Sequence, residues 1–206
     1  MKSLIGKQEE IILKDTVKNI TKIAAQALSE TINKKIELSE PRIKIISIKD
    51  LQKDFYPYEE HPIAVWMFLK NQTTNTILLM SKEENFLKIA DILLHKEIGY
   101  YKGLSNENIS VIKQICELIA GYFIDAEIKL FAENLEFKKT EVSVNPSKAV
   151  EYFGFKDVYS QTFLVLETLI KIKEYDLEIK IFLIFKSSMK DRIIELILEN
   201  QHLISV

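Results

Sequence analysis

The feature that most constrains this chain is the stretch Asn106 to Phe131, NENISVIKQICELIAGYFIDAEIKLF. Wound as an α-helix at about 100° per residue, it sorts into two faces. Ile112, Ile115, Ile119, Phe123 and Ala126 cluster on one side. Ser110, Gln114, Glu117, Gly121 and Asp125 line the other, at i, i+4, i+7, i+11 and i+15. The first set makes a core face and the second a narrow polar stripe. Gly121 lies inside the stripe in mid-helix, where it costs ~1 kcal/mol relative to alanine. A glycine there predicts close approach by another backbone.

An earlier stretch has the same design. In Ile11 to Asn33, IILKDTVKNITKIAAQALSETIN, the residues Leu13, Val17, Ile20, Ala24, Ala27 and Leu28 form an apolar face. Asp15, Lys18, Asn19, Lys22, Gln26 and Asn33 form the polar stripe. Placing Asp15 on Gln114 puts Lys18 on Glu117 and Gln26 on Asp125, so the chain reads as a duplication. The pseudo-repeats span about 11–95 and 106–200 within a single domain covering 1–206.

Each repeat carries the same elements in the same order. Arg42 to Ile48 alternates polar and apolar residues as a half-buried strand does, with Pro41 at its start. Lys49 to Phe55 suits a short helical turn and Tyr56 to His61 a loop. Pro62–Lys70 and Thr76–Met80 form a hairpin across the polar turn Asn71 to Asn75. Ser81 with Glu84 reads as a capping box for a helix running to about His95, with Phe86, Ile89, Ala90 and Leu93 inward. Lys96 to Ser105 links the repeats, and Ser105 or Asn106 can cap the long helix. In the second repeat Leu135 to Val144 is a strand, and Asn145 to Tyr152 a turn with a short helix. Ser160–Lys173 and Leu177–Phe185 are a hairpin. Ser188 then caps a helix from about Met189 to Asn200, with Ile193, Ile194, Ile197 and Leu198 inward. The sum is an α+β fold: internally duplicated helix–strand–hairpin–helix units, about six largely antiparallel strands, two long helices and shorter helices packed on the sheet.

Composition narrows the function. A net charge of −2 gives no reason to expect nucleic acid or a membrane surface. The single cysteine, Cys116, excludes an internal disulfide framework and suits a reducing compartment. MKSLIGKQEE is too short and too charged for a signal peptide, and no apolar run is long enough to span a bilayer, which predicts a cytoplasmic protein without membrane insertion. One cysteine and three scattered histidines (His61, His95, His202) argue against a zinc cluster. There is no nucleophile elbow, P-loop or dinucleotide fingerprint. His61 reads as a surface histidine and His95 as a complement to a helix C-terminus. Tyr100, Tyr101, Tyr122 and Trp66 fit core or linker packing better than an oligomer surface.

Ala24 to Ile48, AAQALSETINKKIELSEPRIKIISI, is similar to the N-terminal segment of the CheC, CheX and FliY chemotaxis phosphatases. In that family a long helix with small residues leads through a lysine-containing turn and an S-x-P into a strand. The second long helix, the strand FLVLETLIKI (Phe163 to Ile172), the hairpin and the closing helix follow the same order, so the resemblance runs from about Ile11 to Asn200. The middle domain of the flagellar switch protein FliM is similar over the second half.

This resemblance implies hydrolysis of the aspartyl phosphate of the response regulator CheY. The family motif is Asp or Ser, then Glu four residues on, then Asn three residues further, on a long helix. The Asn amide positions a water and the Glu pairs with the regulator's lysine, while the receiver supplies the phosphorylated Asp and the Mg²⁺. No cofactor of this chain's own is implied. In the second repeat Ser110 fits the first position, Gln114 stands at the Glu position and Glu117 at the Asn position, so amide and carboxylate are exchanged. In the first, Ile11, Asp15 and Lys18 stand at the three positions, with Asn19 one residue on. Lysine offers no acceptor to orient a water.

Three readings follow. In the first, the protein is a CheC-like phosphatase in which Gln114, or Asn19, orients water and Glu117 or Asp15 holds the regulator's lysine. In the second, Ser110, Lys18 and Lys22 help a non-catalytic relative bind CheY, the deamidase CheD or a flagellar switch component. The third is a scaffold that keeps only the fold, with both stripes merely solvated faces.

Overall fold

In the computed structural model, which describes residues 6–47, 50, 53, 62–70, 76–131, 136–143 and 162–199, the two long helices are α1 (Lys7–Ile32) and α3 (Asn106–Phe131). Helix α1 starts four residues before the apolar pattern does, because Glu9 accepts the Gly6 N–H at 2.7 Å and so closes the first turn. It ends at Asn33, whose left-handed φ of 51° lets the Asn33 and Lys34 N–H groups reach the Glu30 and Ser29 carbonyls. Two shorter helices, α2 (Glu83–Leu93) and α4 (Lys190–Glu199), complete the helical layer among the described residues.

The described strands are β1 (Glu37–Leu38), β2 (Arg42–Ser47), β3 (Pro62–Lys70), β4 (Thr76–Lys82), β5 (Glu136–Ser143), β6 (Thr162–Ile172) and β7 (Leu177–Lys186). All pair antiparallel in one sheet, in the order β1-β6-β7-β4-β3-β5, with β2 on β6 beyond β1. The sheet therefore has seven strands instead of about six. The extra one, β1, is two residues long and is defined only by its pairing with Lys171 and Ile170.

The order is symmetric about the β7–β4 junction. Strands β2, β6 and β7 on one side mirror β5, β3 and β4 on the other. Each hairpin receives its third strand from the opposite end of the chain: β2 pairs with β6, and β5 pairs with β3. The register of β2 places Ile43 and Ile45 opposite Leu166 and Leu164, and Arg42 opposite Glu167. Glu167 is buried and also meets the Lys44 ammonium at 3.0 Å. A one-residue slip would turn both isoleucines away from the core and separate these charges.

Both faces of the sheet centre are apolar. Ile63, Val65, Ile77, Leu79, Leu164, Leu166, Ile179 and Ile181 join the inward faces of the helices in the main core. The alternate residues Ala64, Trp66, Leu78, Met80, Phe163, Val165, Phe182 and Ile184 form a second cluster, to which no described helix contributes. The strands therefore read as almost continuous apolar runs instead of strict alternation.

Several local expectations change. Ser81 does not cap α2: β4 continues through it to Lys82, and its buried hydroxyl donates to the Glu178 carbonyl and accepts from the Asn85 amide. Ser188 lies inside a 3₁₀ turn, Ser187–Met189, that precedes α4. On α4, Ile193, Leu196 and Ile197 are buried, while Leu198 is 49% exposed. The Glu174–Asp176 turn is a 3₁₀ turn, Lys173–Tyr175, closed by Asp176 at φ 49°. Ala27 is half-buried and Leu93 packs at the core margin. Trp66 is fully buried, Tyr101 and Tyr122 pack against the core, and Tyr100 is exposed. The elements expected at 49–55 and 145–152, the 71–75 turn and His61 lie wholly or largely outside the described residues.

Ser105 caps α3, its hydroxyl accepting the Asn108 N–H at 3.1 Å. The connector before it is held by two buried side chains. Asp91 accepts the N–H groups of Gly99 and Tyr101 at 2.7 and 3.1 Å, and Asn108 donates to the carbonyls of Gly103 and Lys102 at 2.8 and 3.2 Å. No described helix is long and apolar enough to cross a membrane.

Candidate functional site

Helices α1 and α3 pack against one another on the sheet, and the Thr31 and Tyr122 hydroxyls meet at 2.6 Å. The core faces read from the sequence hold: Ile112, Ile115, Ile119, Phe123 and Ala126 are buried on α3, as are Leu13, Val17, Ile20, Ala24 and Leu28 on α1. Cys116 is fully buried beside them, and burial pushes its thiol well above the ordinary range, so it is an unreactive core residue.

With one face of each helix fixed on the sheet, the opposite arc faces water. On α3, Ser110, Gln114 and Asp125 are exposed and Glu117 is half-buried. Gln114, Glu117 and Asp125 make no hydrogen bond or ion pair with a described residue. The Ser110 hydroxyl instead turns back to the Asn106 carbonyl at 3.1 Å. Three residues apart, Gln114 and Glu117 sit about 60° around the helix and about 4.5 Å along it. One phosphoryl-sized group can therefore meet both.

The α1 stripe differs. Asp15 and Lys22 are exposed, with no ionic partner among the described residues, and Asn19 is half-buried, but the Lys18 ammonium is tied to Glu40 at 2.9 Å. Both partners of that pair are largely exposed, which places it among surface pairs worth ~0–1 kcal/mol. The residue standing at the family's Asn position is thus a tethered cation and not an amide. Among the described residues no three His, Cys, Asp or Glu side chains are grouped to hold a metal ion.

Two features of the α3 stripe were not legible in advance. A Cβ added at Gly121 meets nothing within 4 Å among the described residues, so the close backbone approach expected there is absent. Leu118 is 40% exposed between Gln114 and Gly121. Its angle, about 40° from Gln114, was available in the sequence. Its exposure depends on how far the sheet and α1 wrap around the helix.

No family model matches the chain. Solved structures do. FliY from Thermotoga maritima superposes with a TM-score of 0.74 at 14% identity, covering 96% of this chain and all of that one. The CheX–CheY–BeF₃–Mg²⁺ complex from Borrelia burgdorferi gives 0.56 at 15% identity over 84% of this chain and 99% of that one. The FliG–FliM complex from H. pylori gives 0.65 at 9% identity over 93% and 100%. The chain therefore has the fold shared by FliY, CheX, CheC-like proteins and the FliM middle domain.

Proposed function

We propose that this protein is a chemotaxis signalling protein that docks a phosphorylated CheY-type receiver on α3 and promotes hydrolysis of its aspartyl phosphate. The observation that carries this reading is the Gln114–Glu117 pair, without a partner among the described residues, on the polar stripe of a helix whose opposite face is locked into the core. It stands on a fold similar to that of a CheX solved with CheY.

In this reading the receiver supplies the phosphorylated Asp and its Mg²⁺. The Gln114 amide, with both a donor and an acceptor, holds a water in line with phosphorus. Glu117 accepts a hydrogen bond from the receiver's lysine and fixes the docking angle. The water oxygen bonds to phosphorus as the bond to the aspartyl oxygen breaks. The Asp carboxylate is regenerated, and the water's protons pass to the departing phosphate and solvent. Positioning accounts for most of the acceleration. Asp15, Asn19 and Lys22 present a second, altered version of the site on α1.

The decisive measurement is the lifetime of the phosphorylated receiver with and without this protein. The lifetime is expected to shorten, and Gln114→Ala is expected to remove at least tenfold of that effect, with Glu117→Ala chiefly weakening binding. An unchanged lifetime ends the catalytic reading.

One observation favours a second reading. Lys18 at the Asn position, tied to Glu40, leaves α1 without a water-positioning amide there. A non-catalytic relative would bind CheY, CheD or a flagellar switch protein and leave the phosphoryl group intact. Binding without a shortened lifetime distinguishes it.

A further inference from the structure

Residues 94–105 join α2 to α3 by a path that is unfavourable for the chain itself. His95, Gly99 and Gly103 all hold left-handed backbone, at φ 53°, 91° and 66°, and His95 does so with a Cβ. Leu94, Ile98 and Tyr100 are left in water, Tyr100 by 61%, so several of the exposed large apolar side chains crowd into this one connector. Two buried side chains oppose these costs. The Asp91 carboxylate on α2 holds the Gly99 and Tyr101 N–H groups at 2.7 and 3.1 Å. The Asn108 amide on α3 holds the Gly103 and Lys102 carbonyls at 2.8 and 3.2 Å. Neither side chain bonds to anything but the connector.

The sheet gives this connector a special position. Each half of the chain keeps one hairpin of the described sheet and takes its third strand from the other half, β2 on β6 and β5 on β3. None of these pairings, nor the β4–β7 junction, requires the two halves to belong to one chain. We propose that the connector is a hinge held shut by Asp91 and Asn108, and that on its release a second copy of this chain supplies the complementary half, giving an intertwined dimer of two complete sheets. Strand order and register in each sheet are those of the monomer, and only the contacts of the connector change. Extended, residues 94–105 reach on the order of 40 Å, about the width of a domain of this size. The two opened connectors lie side by side and bring Leu94, Ile98 and Tyr100 of both copies together out of water. At low concentration the closed form wins, because the tethered half is present at an effective concentration of about 1 mM and the four hydrogen bonds add to that advantage. In the dimer α1 of one copy packs on α3 of the other, so the two polar stripes of each unit come from different chains.

The test separates exchange from mere association. The full chain is refolded from urea at about 10 µM and about 500 µM, on either side of which the tethered half outcompetes or meets a second copy, and its mass is read by light scattering. The unaltered protein is compared with the double variant Asp91→Ala, Asn108→Ala, with Asn108→Ala alone, and with Val17→Ala, which weakens the α1 core away from the connector. At the higher concentration the double variant is expected to raise the dimer fraction at least tenfold, Asn108→Ala less, and Val17→Ala not at all. Exchange is then read by refolding together, in the double-variant background, one chain carrying Ser47→Cys and another carrying Thr162→Cys. Ser47 and Thr162 stand opposite one another in the β2–β6 register, within the Cα separation a disulfide spans. Mild oxidation after refolding should link the unlike chains, with the native Cys116 buried out of reach. A double variant that stays monomeric at the higher concentration overturns the hinge, as does a dimer that fails to cross-link or a Val17→Ala variant that dimerises equally. If the double variant does not refold, Asn108→Ala carries both measurements and the same outcomes decide.

Discussion

His95 holds a backbone conformation that suits glycine. At φ 53° it follows Leu94 at the end of α2, and its N–H and that of Lys96 reach back to the Ile92 and Asp91 carbonyls. Its backbone thus takes part in ending the helix. A left-handed residue with a Cβ costs roughly 1–2 kcal/mol. His95→Gly should therefore stabilise the protein by about 1 kcal/mol, read as a higher urea midpoint at unchanged slope. A lower midpoint would show that the imidazole makes a contribution the backbone does not explain. The pair of Glu9 and Lys190, 2.7 Å apart, joins the first turns of α1 and α4. Lys190 and the Gly6 N–H hold the Glu9 carboxyl below its ordinary 4.5, and Glu9 followed by Asp191 raises Lys190 above its ordinary 10.5. A carboxylate depressed in the folded state stabilises above its unfolded pKa, and that contribution is lost as pH falls through the folded value. For the raised lysine the stabilisation is present below 10.5 and is lost as pH rises through the folded value. The difference in stability between the unaltered protein and Glu9→Gln should be greatest near neutrality. It should shrink below about pH 4.5, where the carboxyl protonates, and again in strong alkali. Denaturant titrations across pH check this, and a difference independent of pH would refute it.

At the scale of the element, α3 was the most legible part of the chain. Its core residues and its polar stripe both follow from a period of 3.6 with few exceptions, because one side of the helix is pressed against a sheet and the other is not. Legibility fails where the local pattern is silent or interrupted. The first turn of α1, from Lys7 to Glu10, has no apolar period and is set by the Glu9–Gly6 hydrogen bond. On α4 the inward face is centred on Ile193, Leu196 and Ile197, so Leu196 replaces Leu198. Ser81 carries a helix-cap signature, yet the Glu178 carbonyl across the sheet takes its hydroxyl and keeps it in a strand. A side-chain hydroxyl can cap only if no stronger partner reaches it, and a partner 97 residues away is invisible to a local rule. The site followed the same logic. Gln114 and Glu117 were visible as a pair on one face, whereas the tethering of Lys18 by Glu40 required the fold.

For the whole molecule, the exchange of strands between hairpins has a direct consequence. Because β2 lies on β6 and β5 on β3, and the hairpins meet along β4–β7, each half of the chain by itself keeps only a two-stranded hairpin of the described sheet. A chain cut within the connector and expressed as separate halves should give two fragments without cooperative unfolding. Mixing them should restore a single transition, since each supplies the strand the other lacks. Circular dichroism with thermal melts checks this, and a half that melts cooperatively alone would refute it. The connector itself need only bring the halves together, with Asp91 and Asn108 satisfying its buried backbone groups. By itself the sequence determined the order of the long helices, the two hairpins and the closing helix of each half, the buried face of each long helix and the polar stripe that carries Gln114 and Glu117. All of these follow from propensity and period along a contiguous stretch. Only the tertiary structure decided which strand lies beside which, the burial of Glu167 among cations from β2, the lack of a described neighbour over Gly121 and the exposure of Leu118. Those depend on residues far apart in the chain arriving at one place, and no local period encodes that.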